Sequence, residues 1–372
     1  MKKETAWRLI ASQLEWTDAE LSQEFPALQL LINLKYDRYQ GFQPATKFHI
    51  AFLNWLSQFD TLGRKRKAYA FVKERLVFVS QREMYHLVSL MMPALERIMR
   101  TRIAEALGIK FYETWFNSEA TERLKISRRK TLFVGLSDGA RIDVFRRYNE
   151  GTVSNEQVVP YSEISEDKWN DLKSELQKWL EKKGYTNEPA QFEAVCLVDD
   201  FSGSGSSLIR PDDEQKNVWK GKIPRFYKTN MERIGNQLKK NCTIFIHHHL
   251  ASSQAQQTID ESLRKYKEEQ SEFEYISSFS YVLPDHIVIS DEIDDDELKD
   301  MLANCYDPGI EDNHKKAGIW YGYKQCGLPL VLDHNTPNNT VAILWAQSGI
   351  GTKKGHVMKP LFVRRERHSS DG

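Results

Sequence analysis

Apolar and polar positions along this chain follow two periods. From the N-terminus to about Leu124 the apolar residues recur at helical spacing, and beyond it short unbroken apolar runs alternate with helical stripes. Thr17-Asp18-Ala19-Glu20 is a capping box with Trp16 and Leu21 as its hydrophobic staple, and Ser80-Gln81-Arg82-Glu83 repeats the device with Val79 and Met84. Met84, Leu87, Val88, Met91, Leu95, Ile98 and Met99 then share one helix face up to Gly108, and Pro93 inside the run predicts a kink or a break. The runs Thr131 to Leu136, Ala194 to Val198, Thr243 to Leu250 and Phe273 to Leu283 read as strands, the first two buried on both faces. Ser165 caps a helix to Lys183 whose stripe is Trp169, Leu172, Leu176, Trp179 and Leu180, stopped by Gly184. Strand, long helix, strand is a crossover unit and implies parallel pairing. Helices are further expected from about Phe226 to Lys240 and from Ser253 to Glu269, and apolar strands at Gly327 to Leu332 and Val341 to Trp345.

The pattern gives an α/β fold with a mainly parallel sheet. Residues 1–124 form a helical N-terminal module, 125–300 the α/β core, 301–363 a C-terminal hood completing the core, and 364–372 a basic tail containing Arg364, Arg365 and Arg367.

Composition narrows the function classes. Lys+Arg and Asp+Glu are both 52 in 372 residues, so no global field recruits nucleic acid or a membrane. Two local runs stand out: Arg64-Lys65-Arg66-Lys67, a partner or nucleic-acid contact or else a solvated helix start, and the acidic Asp291 to Asp296 followed by Glu297, read as a helix start. The four cysteines lack CxxC pairing, and Cys196 and Cys242 sit in apolar runs as buried thiols. No apolar stretch is long enough to span a bilayer and no signal start is present, so a cytoplasmic protein without membrane contact is expected.

Candidate chemistry centres on Phe192 to Ser207. The apolar run meets Asp199 and Asp200, then a loop of small residues with Ser202, Gly203, Ser204, Gly205, Ser206 and Ser207. Open α/β sheets place ligands at such strand ends, and a tight loop of small residues converges backbone N–H groups on an anion. No Lys follows the glycines, which excludes a Walker-type loop. A tight strand-to-helix turn carrying surface acids accounts for the same residues without a ligand. The run Thr131 to Leu136 likewise ends in Ser137-Asp138-Gly139-Ala140-Arg141, a common turn by itself. His247, His248 and His249 end the next strand; alternation sends His247 and His249 to one face and His248 to the other, and His247 is a candidate contact to a bound molecule. Spacing identifies no further metal ligands beside them. Tyr148 to Pro160 is a polar segment, and Asp333 to Thr340, including Asn338, offers donors and acceptors before an apolar run.

Apolar run, acid pair and hydroxyl-flanked glycine resemble the phosphoribosyl-pyrophosphate motif of phosphoribosyltransferases. Asp199 and Asp200 fall on the acid pair, Gly205 on the loop glycine and Ser207 on the closing Thr/Ser, with departures at Phe201 and Gly203. The resemblance implies a phosphoribosyltransferase-type sheet and binding of phosphoribosyl pyrophosphate or a related nucleotide. Asp199 and Asp200 would hold the ribose hydroxyls, with Mg²⁺ as cofactor on the same two acids. Ser204 to Ser207 would take the ribose phosphate, with Ser202 and Gly203 also binding substrate; Ser137, Asp138, Gly139 and Ala140 would take the pyrophosphate, and Arg141 would serve as the cation. Tyr148 to Pro160 takes the place of the family's mobile flap. Pro211-Asp212-Asp213-Glu214 departs from the family by interrupting the expected helix after about one turn and opening a polar insertion to about Ile223, which leaves the acceptor open. His334 to Asn339, followed by an apolar run and Trp345, resembles phosphoribosyltransferase-like proteins of bacterial anti-phage conflict systems, including retron-linked ones. A defence-system protein or a nucleic acid is then the expected partner. Three functions are compatible with the sequence: phosphoribosyl transfer, a non-catalytic nucleotide sensor regulating a partner, and a defence effector or toxin acting on nucleotides or nucleic acid.

Overall fold

The fold is that of a computed structural model, which describes residues 3–40, 48–160, 162–212, 218–234, 238–269, 273–311, 318–349 and 355–364. Arg365 and Arg367 of the basic tail, and Asp213 and Glu214 of the insertion, lie outside the described residues. The chain divides into two compact units, Met1–Glu83 with Pro284–Gly372, and Met84–Leu283.

In the first unit the helices α1 (Lys3–Leu14), α2 (Asp18–Leu34), α3 (Phe48–Leu56) and α4 (Leu62–Glu74) precede a short strand, β1 (Val77–Val79). The Thr17 capping box forms as read, with the Glu20 N–H donating to Thr17 Oγ1 and the Thr17 N–H to the Glu20 carboxylate. Trp7, Phe52, Trp55 and Phe78 of this segment share one core with Val331, Ile343, Leu344 and Phe362, and the Trp55 indole N–H donates to Ile343 O at 2.7 Å. β1 pairs in parallel with Leu330–Leu332. The C-terminal segment therefore completes the core of the N-terminal helices, where the sequence reading placed it over the α/β core. Val341 to Trp345 is a short 3₁₀ turn over Ala342–Leu344 instead of a strand. The basic and acidic runs meet here: Lys67 pairs with Asp295, Arg64 with Asp60 and Asp300, and Arg66 with Glu20.

The second unit opens on α5, Gln81–Leu107, which starts with the Ser80–Glu83 box and runs unbroken through Pro93. Then come α6 (Ser118–Arg129), β2 (Thr131–Gly135), α7 (Ile142–Tyr148), β3 (Val158–Val159), α8 (Glu166–Lys182) and β4 (Phe192–Ser202). A short ladder, β5 (Arg210–Pro211) with β6 (Trp219–Lys220), leads to α9 (Lys222–Ile234), β7 (Leu238–Ser252), α10 (Ser253–Glu269) and β8 (Glu274–Leu283). The sheet order is β3-β2-β4-β7-β8, and every pairing is parallel. Val88, Met91, Leu95 and Met99 of α5 and Leu124 of α6 pack on the face made by Phe133, Ala194, Cys196 and Phe245. Both helices thus belong to the α/β unit, and the boundary falls near residue 84 where the sequence reading drew it at 124. The stripe of α8, with α9 and α10, covers the opposite face, made by Leu132, Val195, Leu197, Ile244 and Ile246. The four cysteines are free and buried. Among the described residues no helix is long and apolar enough to cross a membrane.

Candidate functional site

Strand order fixes where the functional candidates meet. β3 lies on one side of β2 and β4 on the other, so the chain reverses its direction of travel across the sheet between β2 and β4. A ligand crevice opens at such a switch point, outside the carboxyl ends of the strands. β2 stops pairing at Gly135, opposite Val198, and the Leu136 N–H makes the last bond to Val198 O at 2.8 Å. β4 continues to Ser202 with β7 alone beside it, Asp199 opposite His248 and Ser202 opposite Ala251. The acid pair therefore lies inside an extended strand, one of whose neighbours has just turned away. The sequence reading ended β4 at Val198; pairing with a longer β7 carries it on.

The two acids face opposite ways. Asp199 is buried, and Ser137 Oγ donates to its Oδ1 at 2.5 Å while the Lys222 ammonium pairs with its Oδ2. Burial pushes the Asp199 carboxyl above the usual carboxylate range, opposed by the Lys222 charge and the Ser137 hydroxyl. Asp200 is half-buried on the other face, against Gly139: a Cβ at Gly139 would lie 2.6 Å from Asp200 Cγ. Ser137 and Gly139 thus hold the loop after β2 against the acid pair, one residue per acid. Asp138 is exposed, Ala140 is buried, and Arg141 is half-buried with φ 50°, its carbonyl accepting the first N–H groups of α7. An open cleft of about 400 Å³ borders this loop, lined by Gly135 to Asp138 with Pro160, Ser162 and Glu163.

The loop after β4 departs from the expected form. Ser206 to Leu208 is a hydrogen-bonded turn, Leu208 N–H to Gly205 O at 3.1 Å, and no helix begins there. Ser204 Oγ and Ser206 Oγ lie 2.9 Å apart, and Ser207 is exposed. Ser252 Oγ donates to Gly203 O at 2.5 Å. Gly205 has φ +76°, and a Cβ there would lie 2.9 Å from Thr258 Cβ and 3.1 Å from Ala255 O. Glycine is needed at 205 for its backbone angle and for the approach of α10, a reason different from clearance for a phosphate. Ser202 Oγ is buried with no hydrogen-bond partner among the described residues; such a group is completed by water or a bound molecule.

The three histidines lie inside β7, which runs on to Ser252. His247, the candidate contact to a bound molecule, is fully buried, with Ser278 Oγ at 3.1 Å from Nδ1 and Ser280 Oγ at 3.0 Å from Nε2, so both ring nitrogens are engaged inside the sheet. His249, on the same face, donates from Nε2 to Ala140 O at 2.9 Å and anchors the loop after β2. His248 stacks on Phe279 and is pushed down to about 3, chiefly by burial. Asn338 belongs to the first unit, half-buried in a turn where its carbonyl accepts the Tyr323 N–H at 2.7 Å. In the segment from Tyr148 to Pro160, the expected flap, Val153 and Gln157 are buried and Gln157 Nε2 donates to Arg128 O and Thr131 O, which ties it down.

A protein-family model, PRTase-CE, matches residues 52–364. The chain belongs to the PRTase-CE family. No curated protein and no solved structure matches it. The match spans most of the chain, including the β2 and β4 loops, so this PRTase-CE member is a phosphoribosyltransferase-like α/β protein with a mainly parallel sheet.

Sequence reasoning missed two residues of this PRTase-CE site. His249 was legible only as one of three, its role set by which carbonyl lies across the sheet. Lys222 sits at the end of the polar insertion, and nothing in the sequence says which loop that segment folds back on.

Proposed function

We propose that this protein binds phosphoribosyl pyrophosphate with Mg²⁺ in the crevice between the β2 and β4 loops and transfers phosphoribose to an acceptor, releasing pyrophosphate. The observation that carries the reading is the joint anchoring of the Ser137–Arg141 loop on both acids, through Ser137 to Asp199 and Gly139 to Asp200. In the reaction the bond from the ribose C1 to the pyrophosphate oxygen breaks, a bond from C1 to the acceptor forms, and the acceptor's proton leaves to solvent. Positive charge grows on the ribose ring and negative charge on the leaving group, so positioning and charge do most of the work. Asp200 would hold the ribose hydroxyls, Ser204 to Ser207 the ribose phosphate, and Ser137 to Ala140 with Arg141 the pyrophosphate.

Asp199 does not fit a metal ligand, because its two oxygens accept from Ser137 and pair with Lys222. Asp200 fits one: Mg²⁺ takes one or two carboxylates together with substrate phosphates and keeps several waters. Bound there, the ion would offset charge on the departing pyrophosphate. Asp199 serves as a positioning residue that fixes Ser137.

A second reading, ligand sensing without turnover, is favoured by the engagement of Asp199 with Ser137 and Lys222, which holds that acid in structural contacts. Exposed apolar side chains on the N-terminal helices, Leu9, Leu30 and Leu34, would suit a partner protein, and the anti-phage setting remains the context that the sequence resemblance suggests. Incubation with phosphoribosyl pyrophosphate and Mg²⁺, with pyrophosphate assayed, tests the proposal. Transfer predicts acceptor-dependent release; tight binding without release favours the sensor; no binding defeats both.

A further inference from the structure

The Gly/Ser loop after β4 has no lysine in its own sequence, yet one lies beside it in space. Gly221, at φ +124°, presses the chain onto the loop so closely that a Cβ there would lie 2.7 Å from the Leu208 carbonyl carbon and 2.9 Å from Ile209 N. The next two residues are bonded to the loop: Lys222 N–H to Ser207 O at 3.2 Å and Ile223 N–H to Leu208 O at 3.1 Å. The β5–β6 ladder thereby docks the start of α9 on the loop. From there the Lys222 ammonium reaches Asp199, whose side chain is 5% exposed, while the lysine itself keeps 29% exposure.

Resting on the phosphoribosyl pyrophosphate reading, we infer that Lys222 is a phosphate-binding cation of this site, supplied by the insertion to a loop that lacks one in sequence. A lysine in the first turn of a helix opposes the helix dipole, so α9 gains nothing from the charge there. Asp199 holds the ammonium on one carboxylate oxygen and Ser137 on the other, while the backbone of Lys222 is bonded to Ser207 O. An ammonium has three donors, and partial exposure leaves it reachable by a phosphate oxygen. Asp199 then orients both Ser137 and Lys222 toward the ligand.

Calorimetric titration of phosphoribosyl pyrophosphate with Mg²⁺ into wild type, Lys222→Met, Lys222→Arg and the double variant Asp199→Asn/Lys222→Met tests this, with thermal melts confirming folding. Lys222→Met should weaken binding about ten- to a hundred-fold, the loss of one charge-assisted hydrogen bond, and Lys222→Arg should retain most of the affinity. The double variant leaves no buried charge unpaired and stays folded, and it should bind as weakly as Lys222→Met. Recovery of wild-type affinity in the double variant would make Lys222 a mere counter-ion of Asp199 and overturn the inference. Unchanged affinity in Lys222→Met overturns it as well and leaves the ligand reading intact, whereas absence of binding by wild type overturns that reading and this one together.

Discussion

Gly139 and Asp200 are packed so that the carboxylate of one fills the space a side chain on the other would need: a Cβ at 139 would stand 2.6 Å from Asp200 Cγ. Gly139→Ala should therefore act through Asp200. Its backbone is not in the left-handed region, so the cost is crowding, about 1–3 kcal/mol of stability. Asp200 must swing away, and affinity for phosphoribosyl pyrophosphate should fall about ten- to a hundred-fold, as it should in Asp200→Asn. Calorimetry on both variants checks the pair. A folded Gly139→Ala protein of unchanged affinity would remove Asp200 from the ligand contacts.

At Gly205 the prediction concerns stability first. Alanine there meets Thr258 and Ala255 of α10 and must hold φ +76°, a conformation that costs a non-glycine residue about 1–3 kcal/mol. Gly205→Ala should lower the melting temperature by several degrees even without ligand. A melting temperature equal to wild type would mean that the loop relaxes freely and that its contact with α10 is unimportant.

The strands and acid pair were legible because their signals are local: a buried strand is an unbroken apolar run, and Asp199 and Asp200 follow one directly. Facing was legible too, since alternation separates His248 from His247 and His249. What joins distant segments was not. The stripe Val88, Met91, Leu95, Met99 announces burial but does not say against what; its partner is the sheet face of Phe133 and Cys196, far along the chain. Lys222 is the same case, since its partner is chosen by how a polar insertion folds back.

The shared core of the first unit makes residues 1–124 a poor module by themselves. Phe52, Trp55 and Phe78 pack with Val331, Ile343, Leu344 and Phe362, and the Trp55 indole needs the Ile343 carbonyl. A fragment of residues 1–124 should show helical far-ultraviolet dichroism without a cooperative melt. Residues 84–283, which carry both faces of the sheet, should melt cooperatively. A sharp transition in the first fragment would restore it as an independent domain.

The buried histidines set the response to acid. His248 has an ordinary value of 6.5 and is pushed down to about 3 in the folded protein by burial, with the Lys222 charge next in size. Its folded value is depressed, so below pH 6.5 the unfolded chain takes up a proton that the folded chain refuses. Stability is then lost progressively as pH falls from 6.5 toward 3, at about 1.4 kcal/mol per pH unit for one histidine, or about 2 kcal/mol between pH 6.5 and 5. His247 and His249 shift the same way and steepen the fall. Asp199 has the opposite sign: its value is raised by burial, so its contribution is full below 3.8 and fades as pH rises. Comparing wild type with His248→Phe, which keeps a ring over Phe279, cancels that term and leaves His248 alone. Urea unfolding at pH 7.5, 6 and 5 should give His248→Phe a shallower dependence, by about one proton below pH 6. Parallel curves for the two proteins would mean that His248 takes up its proton without unfolding, and that the centre of β7 opens to water.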